Sequence, residues 1–344
     1  MKKILLDENL NFYRANLHCH STISDGKKTP EELKEFYRSR GYSAIAYTDH
    51  NVFIPHNDLT DDSFVALNGI EYDFNEGPWT LNVKVCHLCM IAKDQSERTD
   101  PFFRAGSYRS EKLKPWLDRT DNDMTQPDTK RIYSGEFISE FMRSAHSKGF
   151  YSTYNHPVWS LESYPQYSGY ANMDAMEIVN YSSVVEGYDD DNGHCYDDLL
   201  NQGKRIYAIA TDDNHNHQPD DSPRCDSFGG STVIVAPELS YDALIKALEA
   251  GSFYAVSGSS THFGPDIKSI VFEDGRVTIK TSPSRSIQMI TATRSCRAAY
   301  PNPGEQQSEA TFSLVDGEIW FRFVVIDSEG YKSYSNAYFV DTLK

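Results

Sequence analysis

Residues 43–50 read SAIAYTDH, an apolar run that ends in an acid and an imidazole. Such a run, short and bounded by polar residues, reads as a buried strand. The same construction recurs on both sides of it. LHCHSTISDG (17–26) places His18 and His20 at the end of a first strand, with Asp25 just beyond, and LNGIEYDF (67–74) carries Glu71 at the end of a third. A fourth strand contains His87 in VKVCHLCMIAK (83–93), and a fifth runs into His156 in YSTYNHPVW (151–159). A seventh runs into Asp212, Asp213 and His215 in IYAIATDDNHNH (206–217). Strands are expected near 13–20, 43–48, 64–71, 83–92, 150–155, 175–180, 205–210 and 230–236.

Helix-like stretches between several of these strands give the alternation of consecutive βα units around a parallel sheet or barrel. Thr29-Pro30-Glu31-Glu32 combines an N-cap hydroxyl, a proline at the first helical position and a capping-box glutamate, and Gly41 closes that helix. Ser134 to Gly149 and Ser240 to Gly251 repeat the serine start and glycine stop. In a parallel barrel the strand C-termini form one face, so the acids and imidazoles that end these strands converge there.

The chain's 344 residues exceed what one core usually serves. Residues 1–263 are expected as the α/β domain, with a polar insertion at 93–132 that is long for a connection and suggests a lid. From Gly264-Pro265 the pattern changes to short alternating strands separated by Asp274-Gly275, Asp316-Gly317 and Glu329-Gly330, the Asp-Gly pairs being hairpin signals. A small all-β, sandwich-like domain is therefore expected at 264–344.

The formal charge of −17 repels a phosphate backbone over most of the surface and disfavours nucleic acid as a partner. No apolar run approaches the roughly 18 residues of a membrane span, and the N-terminus lacks a signal-peptide core. No membrane association is expected, and cytoplasmic residence is the default. The six cysteines are too few and too scattered for a disulfide framework and read as reduced thiols. Cys86-x-x-Cys89 has no second pair to make a zinc ribbon, so these two read as buried, inert thiols.

His18 and His20, two apart on a strand, point to one side and can reach one ion while Cys19 faces away. Imidazole and carboxylate without thiolate suit Mn, Fe or Zn in a hydrolytic site. Ions bridged by a shared carboxylate can hold one hydroxide and the oxygens of a phosphoryl group, and they lower the pKa of bound water from about 15.7 towards 7. The catalytic group is then a metal-bridged water, and no serine or cysteine nucleophile is needed. Asp49, one residue before His50, points the other way and is read as orienting a neighbour. His56, His146, His194 and His262 read as ordinary helix or loop histidines, and Gly69, Gly229 and Gly230 as turn or close-packing positions.

Taken in order, LHCHSTISDG, AYTDH, GIE, the strand around His87, NHPVWS, the EIVN strand and the DDNH run resemble the successive metal motifs of the PHP (polymerase and histidinol phosphatase) family. The resemblance covers roughly residues 13–236. The later stretch from FGGSTVIVA through LIKALEAGSFYAVSG is similar to members with a C-terminal β domain. It implies a distorted (β/α)7 barrel, two or three divalent metal ions, and phosphoesterase chemistry. Carried over by residue, it implies that His18, His20, Glu71 and Asp213 hold one metal. Glu71 would bridge to a second completed by His87 and His156, and Asp25, His50 and His215 would hold a third. Asp213 with His215 is preferred over Asp212 or His217, which leaves Asp212 as a supporting carboxylate.

A phosphate also needs a cation beyond the metals, for which arginine's bidentate fork is favoured. Arg104 and Arg109 in the insertion and Arg224 after the last motif are the candidates, and Asn155, Trp159 and Ser160 around His156 are placed at the mouth. The expected function is hydrolysis of a small phosphorylated molecule, either a phosphomonoester or a cyclic or nucleotide phosphodiester. The alternatives are a nuclease on nucleic-acid ends, a hydrolase of a C–N or other non-phosphate bond, and a non-catalytic scaffold whose β domain binds a partner or glycan. Oligomeric state has no signature in the sequence.

Overall fold

The protein is described by a computed structural model over residues 2–81, 83–189 and 191–343. After β1 (Lys2–Leu6), the site-bearing region contains β2 (Asn11–Asn16), β3 (Ala44–Tyr47), β4 (Val65–Asn75), β5 (Val85–Ala92), β6 (Phe150–Tyr154), β7 (Ala175–Asn180) and β8 (Tyr207–Thr211). It continues with β9 (Gly230–Ala236) and β10 (Phe253–Ser257). The helices are α1 (Pro30–Arg38), α2 (Gly135–Ser147), α3 (Tyr164–Tyr167), α4 (Tyr181–Glu186), α5 (Gly193–Asn201) and α6 (Tyr241–Ala250). Strands β2 to β8 lie side by side in chain order. Their middle residues are buried on both faces: Ala44, Ala46, Tyr151 and Ile209 pack in one core with α6, while Ile45 and Tyr47 share a second with α1, and Phe150, Tyr154, Ala208 and Ala210 a third with α2 and α5.

The expected helix signals act as read. Thr29 accepts the Glu32 N–H while the Glu32 side chain returns to the Thr29 N–H, which satisfies two donors at the start of α1. Ser134 and Ser240 cap α2 and α6, and Gly251 ends α6 at φ 68°.

The parallel arrangement is corrected to a mixed sheet. Pairings β2–β3, β3–β4, β6–β7 and β7–β8 are parallel, but β4–β5 and β5–β6 are antiparallel. The connection at 76–84 is too short for a crossover helix, so β5 must return beside β4 in the opposite direction. The chain beyond β2 meets the chain beyond β8 directly. Asp213 N–H donates to His18 O at 3.0 Å and His20 N–H to Asn214 O at 3.1 Å. This junction brings the first and last strand ends to one place.

The C-terminal part adds β11 (Ile267–Glu273), β12 (Arg276–Ser284), β13 (Ser286–Thr291), β14 (Arg297–Ala299), β15 (Gln307–Ser313), β16 (Trp320–Ile326), β17 (Lys332–Ser335) and β18 (Tyr338–Phe339). Hydrogen bonding links the expected parts 1–263 and 264–344 at two places. Strand β1 pairs with β11 in a separate sheet ordered β1-β11-β12-β15, while β17, β16, β13 and β14 extend the large sheet from β10. The reason lies in shared burial. Leu6, Val233, Val235, Tyr254 and Val256 pack in one core with Ile270, Val277, Ile287 and Phe323, so the outer face of β9 and β10 is covered by the C-terminal strands.

Asp274-Gly275 makes the expected tight hairpin, with both residues at positive φ and Glu273 opposite Arg276. Asp316-Gly317 does not. It passes the chain from β15 in the small sheet to β16 in the large one. Among the described residues no helix is long and apolar enough to cross a membrane.

Candidate metal centre

Glu71 is the centre of the site. It lies on β4, fully buried, and its two carboxylate oxygens face five imidazoles. Oε1 lies 3.2 Å from His18 Nε2, 3.0 Å from His87 Nδ1 and 3.3 Å from His156 Nε2. Oε2 lies 2.9 Å from His50 Nδ1 and 3.4 Å from His20 Nε2. Asp213 Oδ1 is 3.0 Å from His20 Nε2 and 3.2 Å from His18 Nε2, and those two nitrogens are 3.1 Å apart.

Six strands, β2 to β6 and β8, supply these groups by different local devices. His18 and His20 follow β2 and flank Cys19, which bridges in parallel to Asn214 and turns inward to the core. His50 follows β3 and bridges to Glu71. His87 faces Asp73 across β4–β5. His156 and Asp213 sit at φ 27° and 53°, left-handed conformations that cost a non-glycine residue free energy and persist where surrounding structure imposes them.

Glu71 Oε2 and Asp213 Oδ1 are buried and accept no hydrogen bond. Each nevertheless has imidazole nitrogens within 3.4 Å. Buried oxygens without donors are costly, and lone pairs of imidazole and carboxylate aimed at common points are what a divalent cation takes up. The donor set therefore fits metal. Among the described residues, ligand atoms within 4.8 Å of one another form the groups His18–His20–Asp213, His50–Glu71–His87 and His20–Asp25–His50–His215, along with His18–Glu71–Cys89 and His18–His156–Glu177.

Within the cluster the carboxylates and imidazoles shift one another's pKa values. Burial pushes the Glu71 carboxyl up, but the imidazoles of His18, His87 and His50 outweigh it and hold it well below the usual range. Burial, with His215 and His50 nearby, lowers His20 to about 3 and keeps it a neutral donor. His50 is opposed by burial yet raised to about 9 by Glu71 and Asp25.

All nine expected ligands are brought together, with His18, His20 and Asp213 in one group of ligand atoms and Asp25, His50 and His215 joined by His20 in another. His87 shares ligand distance with His50 and Glu71, and His20 reaches toward Asp25, His50 and His215 as well as toward His18. Asp25 is the outermost, 3.7 Å from His50 and 3.6 Å from His215. Asp213 faces the cluster. Asp212 turns away, accepting the Tyr37 hydroxyl at 2.7 Å and the N–H groups of Phe228 and Gly230 at 2.7 Å each, which tie β8 to the start of β9. His217 lines the cavity outside the cluster, 5.8 Å from His215 between ring centres.

Asp49 accepts the N–H and hydroxyl of both Ser21 and Ser24 and so holds the loop that carries Asp25. Asn155 is buried and donates to Glu71 at 3.2 Å and to Cys89 at 3.0 Å. Burial pushes the Cys89 thiol up to about 11. Cys86 faces the opposite side of β5, in the hydrophobic core.

The arginine candidates separate. Arg224 lines the cavity, whereas Arg104 and Arg109 do not, and none of the described lining residues comes from 93–132. The insertion, expected as a lid, packs part of its length against the loops around Ile23 and Val52. Phe103, Tyr108 and Leu113 bury against Ile23, Val52 and Ile54, beneath the loops that carry Asp25 and His50, and this draws Arg104 and Arg109 away from the mouth. One arginine near the end of the insertion does approach the site. Arg131 stacks on Tyr72, pairs with Asp73 at 3.1 Å and donates to Asn51, and both partners line the cavity.

Glu177, on β7, was not singled out by the sequence. It is fully buried and accepts from His18 Nδ1 at 2.7 Å, Thr211 Oγ1 at 2.6 Å, His156 N–H at 2.8 Å and Asn180 Nδ2 at 2.9 Å. An available signal was a lone acid in AMEIVN, a strand buried throughout, because a buried carboxylate requires partners.

No family model matches the chain, and no curated protein matches it. Among solved structures it is similar to a two-domain protein from Bacteroides vulgatus containing a predicted PHP-like metal-dependent phosphoesterase. That match has 14% identity and a TM-score of 0.43, covering 97% of this chain and 96% of the other. A proposed metal-dependent phosphoesterase from Bifidobacterium adolescentis matches at 14% identity and TM-score 0.36, over 59% of this chain and 87% of its own. An amidohydrolase from Chromobacterium violaceum, with bound sulfate and no metal, matches at 16% identity and TM-score 0.36, over 61% and 93%.

Proposed function

We propose that this chain is a metal-dependent phosphoesterase of PHP type, hydrolysing a small phosphorylated molecule. The observation that carries the reading is the convergence of His18, His20, His50, His87 and His156 on the carboxylate of Glu71, with buried oxygens of Glu71 and Asp213 left without donors. His18, His20, Glu71 and Asp213 would hold one ion, Glu71, His87 and His156 a second, and Asp25, His50 and His215 a third, with Mn, Fe or Zn suiting the donors. Divalent ions held by these residues would supply an activated water at neutral pH and would neutralise charge on the phosphoryl oxygens.

The chain's own residues prepare the site. Glu177 fixes the ring of His18 and the backbone of His156, and Ser160 Oγ lies 3.1 Å from His156 Nδ1, which leaves Nε2 toward the site. Arg224 on the cavity wall would take a phosphoryl oxygen. The unpaired cysteines support a reducing compartment such as the cytoplasm.

Elemental analysis of protein purified without chelator, before and after incubation with Mn, Fe or Zn, tests the reading together with turnover of phosphomonoesters and cyclic phosphodiesters. Two or three ions per chain and metal-dependent phosphate release are expected. Protein that retains no metal under any condition and releases no phosphate would overturn it.

A further inference from the structure

We propose that Trp159 forms a flat wall that seats the leaving group of the phosphoester and makes the enzyme selective for planar, aromatic leaving groups over alkyl ones. This rests on the phosphoesterase reading. The cavity over the metal cluster measures about 530 Å³, within the range of small-molecule sites and well beyond what one phosphoryl group fills. The remainder must accommodate the rest of the substrate.

The lining combines hydrogen-bonding and charged groups, Arg224, His217 and Gln218 among them, with the apolar surfaces of Val85, Val185 and the indole of Trp159. The indole begins where the expected ligands end, its ring centre 5.0 Å from that of His156 and 5.6 Å from that of His87. A phosphoryl group over the metal cluster would thus direct its ester oxygen past an aromatic plane. Rings of this kind favour flat partners through offset-stacked or edge-on contact.

Trp159 is also held in place before any substrate arrives. Its Nε1–H donates to Glu186 Oε2 at 3.1 Å, which fixes the ring's orientation. The loop beneath is pinned at 3.1 Å by Ser160 N–H to His156 O and Leu161 N–H to Val158 O. At its end Glu162, buried, accepts the hydroxyls of Tyr133 and Tyr154 at 2.7 Å each and that of Tyr170. A wall immobilised by the fold costs little entropy when a ligand stacks on it.

The test compares metal-loaded wild type, Trp159→Ala and Trp159→Phe on phenyl phosphate and methyl phosphate, with calorimetric binding of phenylphosphonate and methylphosphonate as a readout independent of turnover. Wild type is expected to prefer the phenyl compounds in both assays. Trp159→Ala should lower the phenyl-to-methyl ratio of kcat/KM and of affinity by about tenfold or more, and Trp159→Phe should restore most of it. Turnover of both esters with a ratio unaltered by Trp159→Ala overturns the role of Trp159 alone. Failure of the metal-loaded wild type to hydrolyse either ester or bind either phosphonate overturns this proposal, and failure on cyclic phosphodiesters as well overturns the phosphoesterase reading with it.

Discussion

Oε1 of Glu177 lies 2.7 Å from Nδ1 of His18. The other oxygen of the same carboxylate accepts the N–H of His156 at 2.8 Å. One buried acid therefore orients two candidate ligands that follow different strands, β2 and β6, and it sets the His18 tautomer so that Nε2 is the free donor.

Glu177→Gln keeps the shape but replaces an anion that accepts four hydrogen bonds with an amide that must place a donor among them. Metal affinity, measured by competition with a chelator, is expected to fall about 10- to 100-fold while the circular dichroism spectrum is retained. Unchanged affinity would show that the Glu177–His18 contact does not govern the site.

Glu71→Ala and His20→Ala remove donors shared between ligand groups. Each is expected to abolish turnover and to lower metal stoichiometry by at least one ion per chain, with the fold kept. The metal-loaded wild type should melt at a higher temperature than its chelated form, because metal that binds only the native state stabilises it by mass action, and this increment should shrink in both variants. Full activity in metal-free buffer would contradict the assignment.

His56 provides a pH test away from the cluster. It is buried between Tyr47 and Trp116, and neither ring nitrogen has a hydrogen-bond partner. Burial, reinforced by Arg119, lowers its pKa to about 3, against about 6.5 when unfolded. Between these values the unfolded chain binds a proton that the folded chain does not, so stability falls as pH drops from about 6.5 towards 3. From pH 7 to pH 5 this one group should cost about 2 kcal/mol. His56→Phe is expected to reduce the loss seen in urea titrations at the two pH values by that order; an identical loss in both proteins would rule out a buried neutral imidazole.

Gly230 starts β9 where a Cβ would stand 1.9 Å from Thr211 O on β8. Backbone cannot yield as a side-chain tip can, so Gly230→Ala should destabilise by about 3 kcal/mol and shift Asp212, whose carboxylate accepts the Gly230 N–H. A thermal midpoint equal to wild type would count against this close approach. Gly41→Ala serves as a contrast: nothing surrounds its Cβ position, and its φ of 79° alone carries the strain.

Local chemistry in the chain was enough to place the strands and the capped helices, because an apolar run ending in an acid or imidazole is written in consecutive residues, and the resemblance of those runs to known metal motifs supplied the nine candidate ligands. The Asp-Gly turn at 274–275 was legible for the same reason: its conformation depends on two residues. Direction and partnership were not legible. Strand β5 runs antiparallel, β1 crosses to pair with β11, and Asp316-Gly317 joins two sheets, because hydrogen-bond partners far apart in sequence are chosen by which apolar faces need cover. Arg104 and Arg109 looked like phosphate ligands by composition, and the packing of Phe103, Tyr108 and Leu113 sent them elsewhere. The partners of Glu177 and the approach of Arg131 to the site emerge only in three dimensions, since a buried charge acquires its role from the donors that the fold gathers round it.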